Sequence, residues 1–325
     1  MDEKLSDEKG GNVMKRATKI CFITACSLVL IGCILFAGLM STLGWDFAKL
    51  STAAYETNTT EVTEAFRDIS ITSDTADIRF ALSDDGICRV ECREETKAKH
   101  AVTVKNGTLT VKINNQKSWY DHIGFHFGSP EITVYLPTTE YHALSIHKST
   151  GNVEIPGDFS LASADISLST GNAIFDASVT ESVRIRTGTG NIRVANTSVG
   201  TLDLSVTTGA IAVSDVTCMG DITVSVSTGK ANLTNLSCRN VISNGTTGDI
   251  TLDRVIAAHQ FSIERSTGDV KFIGCDAAEI HVKTSTGHVT GSLLTDKVFI
   301  TDTNTGHVDV PKTVTGGRCE IRTGT

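Results

Sequence analysis

From residue 149 onward the chain alternates apolar and polar residues in short runs that break at a Thr-Gly pair. The stretch "LSVTTGAIAV" (204–213) sets the pattern, and "ISLSTGNAIF", "IRTGTGNIRV", "VSVSTGKANL", "IERSTGDVKF" and "VKTSTGHVTG" repeat it. Apolar residues stand two and four positions after the Gly, as Val153 and Ile155, Ile192 and Val194, Ile211 and Val213, and Val270 and Phe272. Others stand seven and five before it, as Leu202 and Leu204, Ile222 and Val224, and Phe261 and Ile263. A further apolar position recurs at plus seven, as Val216, Leu236, Val255 and Cys275. Period two on both sides of the break predicts strand, Thr-Gly turn, strand, and the 3.6-residue period of a helical repeat is absent.

The marker glycines are Gly151, Gly171, Gly190, Gly209, Gly229, Gly248, Gly268, Gly287 and Gly306, each preceded by Thr and spaced 20, 19, 19, 20, 19, 20, 19 and 19 residues apart. A fixed period of this size marks an array in which each unit buries its apolar face against its neighbours. Leucine-rich repeats need a leucine ladder and an Asn that are missing here, and propeller blades are about twice as long. The expected fold is all-β, a single-stranded β-helix-like solenoid with coils of 19–20 residues, stacked about 4.8 Å apart. Nine such coils would make a rod roughly 40 Å long. The Gly supplies φ > 0 at a corner, and the Thr is expected to stack on its equivalents and exchange hydroxyl hydrogen bonds. At the end of the chain, "CEIRTGT" (319–325) repeats "VRIRTGT" (183–189), whose next residue is marker Gly190. That register predicts a chain truncated at its C-terminus, with an open last coil and an exposed strand edge.

A different pattern occupies the N-terminus. Ile20 to Trp45 runs 26 residues without a charged side chain, long enough for one transmembrane α-helix. Lys15, Arg16 and Lys19 precede it and Asp46 and Lys49 follow, so the positive-inside bias puts the N-terminus in the cytoplasm and the remainder outside. The predicted organisation is a cytoplasmic tail (1–19), the span (20–45), a polar stalk (46–65), a β-rich cap (66–148) and the Thr-Gly solenoid (149–325). A rival within the span starts at Met14 and reads "LIGC", Leu30 to Cys33, as a lipoprotein box with Cys33 lipidated. The apolar "ILFAGLM" that follows favours an uncleaved anchor. In the cap, "ISITSDTADIRF" reads as a degenerate coil with Ala76 in the Gly place, and Asn106-Gly107 reads as a type I′ hairpin turn. The cap is expected to continue into the solenoid, with a separate small β-domain as the alternative.

Composition and charge narrow the function. Val, Ile, Thr and Ser dominate beyond residue 60, and a net charge of -8 without a basic stripe argues against nucleic acid. The densest aromatic-polar cluster is "WYDHIGFHFG" (119–128), which makes Trp119, Tyr120, His122 and His126 a candidate binding patch. Two histidines four apart on a strand share a face suited to a metal, whereas the plainer reading is an aromatic-rich edge of the cap. His288 and His307 follow marker glycines on adjacent coils, in a column otherwise held by Asn152, Asn172, Asn191, Ala210, Lys230, Asp249 and Asp269. That column reads as a solvated corner, not a metal site. Cys21, Cys26 and Cys33 lie in the span. Cys88 and Cys92 share a strand face, and Cys218 and Cys238 stand on consecutive coils, positions that suit either a disulfide or a reduced apolar ladder. No nucleophile elbow, phosphate loop, HExxH or Cys/His pairing is present, so neither an enzyme nor a cofactor is expected.

From "ILFAGLMSTLGWDFAKLSTAAYETN" through the "STGN" and "STGDV" units to "DVPKTVTGGRCEI", the chain resembles a bacterial family carrying the domain of unknown function 4097, an adhesin-like β-strand repeat. The resemblance implies a membrane-tethered, extracytoplasmic β-solenoid with no catalytic residues to carry over. The expected function is non-enzymatic adhesion or envelope scaffolding, with the membrane and cell-wall glycan or surface proteins as partners. The alternative is an accessory or sensor of an envelope stress or signalling system.

Overall fold

A computed structural model describes residues 4–47, 54–119, 128–305 and 307–324, and the chain divides into a helical unit and a β unit. The helical unit holds α1 (Lys4–Thr42), whose segment Thr18–Thr42 is apolar, largely exposed and, at 25 residues, long enough to cross a membrane. Helix α1 begins well before the apolar run and stops short of Trp45. The stop is local: Gly44 (φ 67°) and Trp45 (φ 59°) turn left-handed. Trp45 N–H then donates to the Met40 carbonyl (2.8 Å) and Gly44 N–H to that of Ser41 (3.3 Å), closing the helix end.

The β unit is a β-solenoid of about nine turns. Its strands are β1 (Tyr55–Val62), β2 (Asp68–Ser73), β3 (Asp77–Leu82), β4 (Cys88–Glu95), β5 (Ala98–Lys105), β6 (Thr108–Asn115), β7 (Glu131–Leu136), β8 (Glu140–Thr150), β9 (Val153–Ile155), β10 (Ser160–Thr170), β11 (Ala173–Phe175) and β12 (Ser178–Thr189). They continue as β13 (Ile192–Cys218), β14 (Asp221–Thr247), β15 (Ile250–Thr267), β16 (Val270–Thr286), β17 (Val289–Leu293), β18 (Lys297–Thr303) and β19 (Gly317–Thr323). Parallel pairing runs coil on coil from β8 to β16, and equivalent residues stack: Ile146 on Ile166, Ile166 on Ile185, Ile185 on Leu204, Leu204 on Val224. The apolar residues named above at minus seven, minus five, plus two, plus four and plus seven are all buried, none more than 5 % exposed. Each such Val, Ile or Leu contributes about 1.5–3 kcal/mol through burial.

Two corners shape the coils. At the first, the described marker glycines have φ between 118° and 145°, while Gly306 lies outside the described residues. A Cβ on Gly209 would overlap the carbonyl oxygen of Gly190 one coil away, so the corner needs glycine for both its dihedral and its close approach. At the second corner, six residues later, Asn196, Asp215, Asn235, Arg254 and Gly274 adopt the left-handed region at φ 52–56°.

Both ends depart from simple stacking. Strand β2 pairs in parallel with β6 on one side and β8 on the other, and β3 lies likewise between β7 and β9. The degenerate coil around Ala76 therefore lies inside the stack, although it comes first among the coils in the chain. Beyond β7, β4 runs antiparallel to both β7 and β1. The polar segment expected to be a stalk is thus partly strand, because β1 finds an unpaired edge on β4. Strand β5 runs antiparallel to β6 through a turn with Asn106 at φ 52° and Gly107 at φ 76°. At the other end, "CEIRTGT" does not begin an outer, open coil. Strand β19 pairs with both β16 and β18, Cys319 standing between Ile280 and Phe299, so β18 is the outer strand. Gly317 permits this insertion, since a Cβ there would overlap the Ala278 carbonyl, and the buried Cys319 extends the core.

The corner geometry yields an expectation for stability. Gly209→Ala should lower the unfolding free energy by about 2–4 kcal/mol, as a strained dihedral and a backbone clash combine. The neighbouring Ala210→Ser should stay within about 0.5 kcal/mol. Urea unfolding of both variants checks this, and a Gly209→Ala chain as stable as the parent would remove the close-approach argument.

Candidate functional site

The repeated corner is built from the backbone outward. Gly171 N–H donates to the Thr189 carbonyl (2.9 Å) and Gly190 N–H to the Thr208 carbonyl (3.0 Å), so the Thr-Gly peptide is consumed by coil-to-coil bonding. The side chains of the Thr and of the residue before it point outward. Ser149 and Thr150, Ser169 and Thr170, Thr207 and Thr208, Ser227 and Thr228, Thr246 and Thr247, Ser266 and Thr267, and Ser285 and Thr286 are all exposed. They form two adjacent columns of hydroxyls, interrupted between Ser149 and Thr286 only at Gly188. The column threonines stack in register, but among the described residues their hydroxyls do not bond to one another, contrary to the expectation from sequence. Water competes for exposed hydroxyls and removes the gain from pairing them. A coil-to-coil hydroxyl bond does form where the pair is half-buried, from Thr323 Oγ1 to Thr303 Oγ1 (2.9 Å).

The longer amide side chain just after the marker also reaches from coil to coil. Asn152 Oδ1 accepts from Asn172 N–H (3.1 Å) and Nδ2 (3.0 Å), and Asn172 Oδ1 accepts from Asn191 N–H (2.9 Å) and Nδ2 (3.1 Å). Asp77 Oδ1 begins the ladder by accepting from Asn152 N–H (2.7 Å), and Asn191 Oδ1 ends it on Ala210 N–H (3.0 Å). Asp249 and Asp269 do the same for Asp269 and His288. The column is a solvated corner, as expected, and its Asn and Asp side chains also form a ladder that caps the backbone. Strand β19 runs between β16 and β18, so the strands leading to His288 and His307 are not neighbours, while both histidines line one cavity.

Inward-facing polar groups lie three residues before the marker. Lys148 is buried, and its Nζ donates to the Asn152 carbonyl (3.0 Å) and to that of Ala76. Burial pushes its pKa down to about 8, partly offset by Asp77. Arg265 occupies the space left by Gly245 and donates from Nη2 to Ser243 Oγ (2.8 Å), and its buried Nε has no partner among the described residues.

A buried polar cluster among the described residues is one that sequence reasoning missed. Glu94 on β4 and His100 on β5 face inward, their side chains each 2 % exposed. His100 Nδ1 lies 2.7 Å from Glu94 Oε2, its backbone N–H donates to the same oxygen (2.6 Å), and its Nε2 lies 3.0 Å from Ser73 Oγ on β2. Asn58 Nδ2 on β1 donates to Glu94 Oε1 (2.9 Å). Cys92 stands two residues before Glu94 on the same face, where burial and the carboxylates of Glu94 and Glu91 push its thiol up to about 12. The order Ser–His–carboxylate matches a hydrolase relay, but Ser73 is 2 % exposed and a substrate carbonyl has no approach to its Oγ. The cluster ties four strands together at the antiparallel end of the stack.

Trp119 is exposed, while Tyr120, His122 and His126 of the candidate patch lie outside the described residues. All nine cysteines are free thiols. Cys218 and Cys238 are buried, each directing its sulfur at a backbone carbonyl, of Gly200 (3.4 Å) and Ile256 (3.8 Å) respectively. This is the reduced ladder.

A model of the family described as Toastrack DUF4097 matches residues 66–225 and 201–313. No curated protein matches the chain. Among solved structures, a candidate adhesin from Bacteroides fragilis is 18 % identical over 75 % of this chain and 99 % of its own, with a TM-score of 0.46. A candidate adhesin from Parabacteroides distasonis is 12 % identical over 84 % of this chain and 98 % of its own (TM-score 0.39). A candidate lipid-binding protein from the same species is 14 % identical over 75 % of this chain and 97 % of its own (TM-score 0.40).

Two outcomes follow for the buried polar groups. Lys148 holds its proton less tightly folded than unfolded, so between about pH 8 and its ordinary 10.5 the unfolded chain binds more protons and stability rises with pH. Measured against Lys148→Met, the parent should gain about 3 kcal/mol across that window, and parallel pH curves would refute the burial argument. His100→Ala should cost about 3 kcal/mol at neutral pH by leaving the Glu94 carboxylate buried without its main partner, as read by urea unfolding.

Proposed function

Because the chain belongs to the Toastrack DUF4097 family, we propose that it is a non-enzymatic, membrane-anchored β-repeat protein that displays its solenoid outside the cytoplasm for adhesion or envelope scaffolding. The observation that carries this reading is the double column of exposed Ser and Thr at the repeated corner, whose hydroxyls have no protein partner among the described residues. A polar ligand meeting this surface finds the same donor and acceptor pair on each coil from Ser149 to Thr286 except the one carrying Gly188, at a spacing set by the strands. Extended, regularly hydroxylated polymers such as cell-wall glycans match that pattern, because many weak contacts add along a rigid array. The apolar segment Thr18–Thr42 supplies the anchor, and Lys15, Arg16 and Lys19 at its N-terminal end favour a cytoplasmic N-terminus.

The test is retention of the full chain, in detergent, on purified cell-wall polysaccharide. Replacing Thr207, Thr208, Ser227 and Thr228 together by Ala should weaken retention about tenfold while the melting temperature stays close to that of the parent. A variant that binds as well as the parent would remove the hydroxyl columns from the reading. Protease added to intact cells should cleave the β unit and spare the helical unit, and the reverse would overturn the orientation.

A further inference from the structure

The geometry points to a transition-metal site, fitted to zinc, formed by Cys92, Glu94 and His100 at the antiparallel end of the solenoid. One sulfur, one carboxylate oxygen and one imidazole nitrogen from these residues all lie within 4.8 Å of one another. A tetrahedral zinc ion with bonds of about 2.0–2.3 Å sets its ligand atoms roughly 3.3–3.7 Å apart, so small side-chain adjustments complete the site. Thiolate and imidazole together select a borderline-soft ion over calcium or magnesium, which take oxygen ligands.

The surroundings fit the same reading. Metal-bound histidines and carboxylates are held by hydrogen bonds at the atoms that do not touch the metal. His100 offers Nδ1 toward Glu94 while Ser73 Oγ holds its Nε2 at 3.0 Å. Glu94 offers Oε2 toward His100 while Asn58 Nδ2 holds its Oε1 at 2.9 Å. Asn58 lies directly opposite Cys92 in the β1–β4 ladder. The three ligands are fixed on two strands of an antiparallel layer, Cys92 and Glu94 on one face of β4 and His100 on β5, so little ordering remains for the ion to impose. On binding, the S–H bond of Cys92 breaks and its proton passes to solvent, while His100 gives up the hydrogen that Nδ1 shares with Glu94 and keeps one on Nε2, which donates to Ser73 Oγ. The thiolate, the Glu94 carboxylate and the freed Nδ1 then donate to zinc with no change of oxidation state. A water completes the tetrahedron. The ion then joins β4 to β5 directly, and β1 and β2 through Asn58 and Ser73. This site is independent of the ligand bound at the outer hydroxyl columns.

The test uses the full chain in detergent with zinc chloride, and with cobalt(II) as a spectroscopic substitute. The expected result is one zinc retained per folded chain after desalting, and a cobalt form with thiolate-to-metal charge-transfer absorption. Cys92→Ser should abolish that absorption and weaken zinc binding at least tenfold, while Cys238→Ser should leave both intact. X-ray absorption on the unmutated zinc form, which needs no variant to fold, should show one sulfur among nitrogen and oxygen neighbours. A folded chain that retains no zinc, a coordination shell without sulfur, or a Cys92→Ser chain that keeps full affinity would each overturn the site.

Discussion

Parallel coils keep their backbone hydrogen bonds only if the chain turns each corner with main chain almost touching main chain. That constraint is most severe at the marker glycines, where a Cβ on Gly209 would enter the carbonyl oxygen of Gly190. Everything regular in the β unit follows from satisfying it at each layer. The preceding Thr presents its carbonyl to a Gly N–H on the adjacent coil and its hydroxyl to solvent, and the following Asn or Asp spans the gap to cap the next amide. Inside, the same registration stacks Ile on Ile and Val on Leu, so the core grows by one layer with each period.

A stack that satisfies each coil through its neighbours leaves an outermost coil unsatisfied, and the chain threads similarly around β2–β8 and around β16–β19. It runs outward past the position it would occupy by simple stacking and returns: β6 and β7 lie outside β2 and β3, and β18 lies outside β19. At the N-terminal end the parallel ladder also changes to antiparallel strands, where β1, β4 and β5 cover β6 and β7. The buried Glu94, His100 and Ser73 sit at that change of direction. Polar side chains are tolerated there because each finds a partner on a strand of different origin.

Much of this was legible in the sequence, and what escaped did so for physical reasons. The Thr-Gly period and the apolar positions around it are local, and local spacing is enough to predict strands, corners and core. The second corner is written in the same local terms: Asn, Asp, Asn and Gly at plus six are the residues that favour the left-handed region, and Arg254 is the member of the column that hides the pattern. Layer order was not legible. The repeat phase of "CEIRTGT" gives its place within a coil, because Thr284, Thr303 and Thr323 are equivalent, yet it does not say which coils lie on either side. Nor could spacing unite Ser73, Cys92, Glu94 and His100, which meet only through the antiparallel register of strands that share no repeat.

The asymmetry between middle and ends bears on how such a chain can change in length. In the middle, each corner glycine and ladder residue sees the same kind of neighbour one layer up and one layer down. Duplicating or deleting one complete unit of 19 or 20 residues there joins a coil to surfaces identical in kind to those it left. The terminal layers have no such translational equivalence, since their strands thread between coils from elsewhere in the chain. Recombination can therefore lengthen or shorten the solenoid from within, while the threaded layers around β2–β8 and β16–β19 are inherited whole.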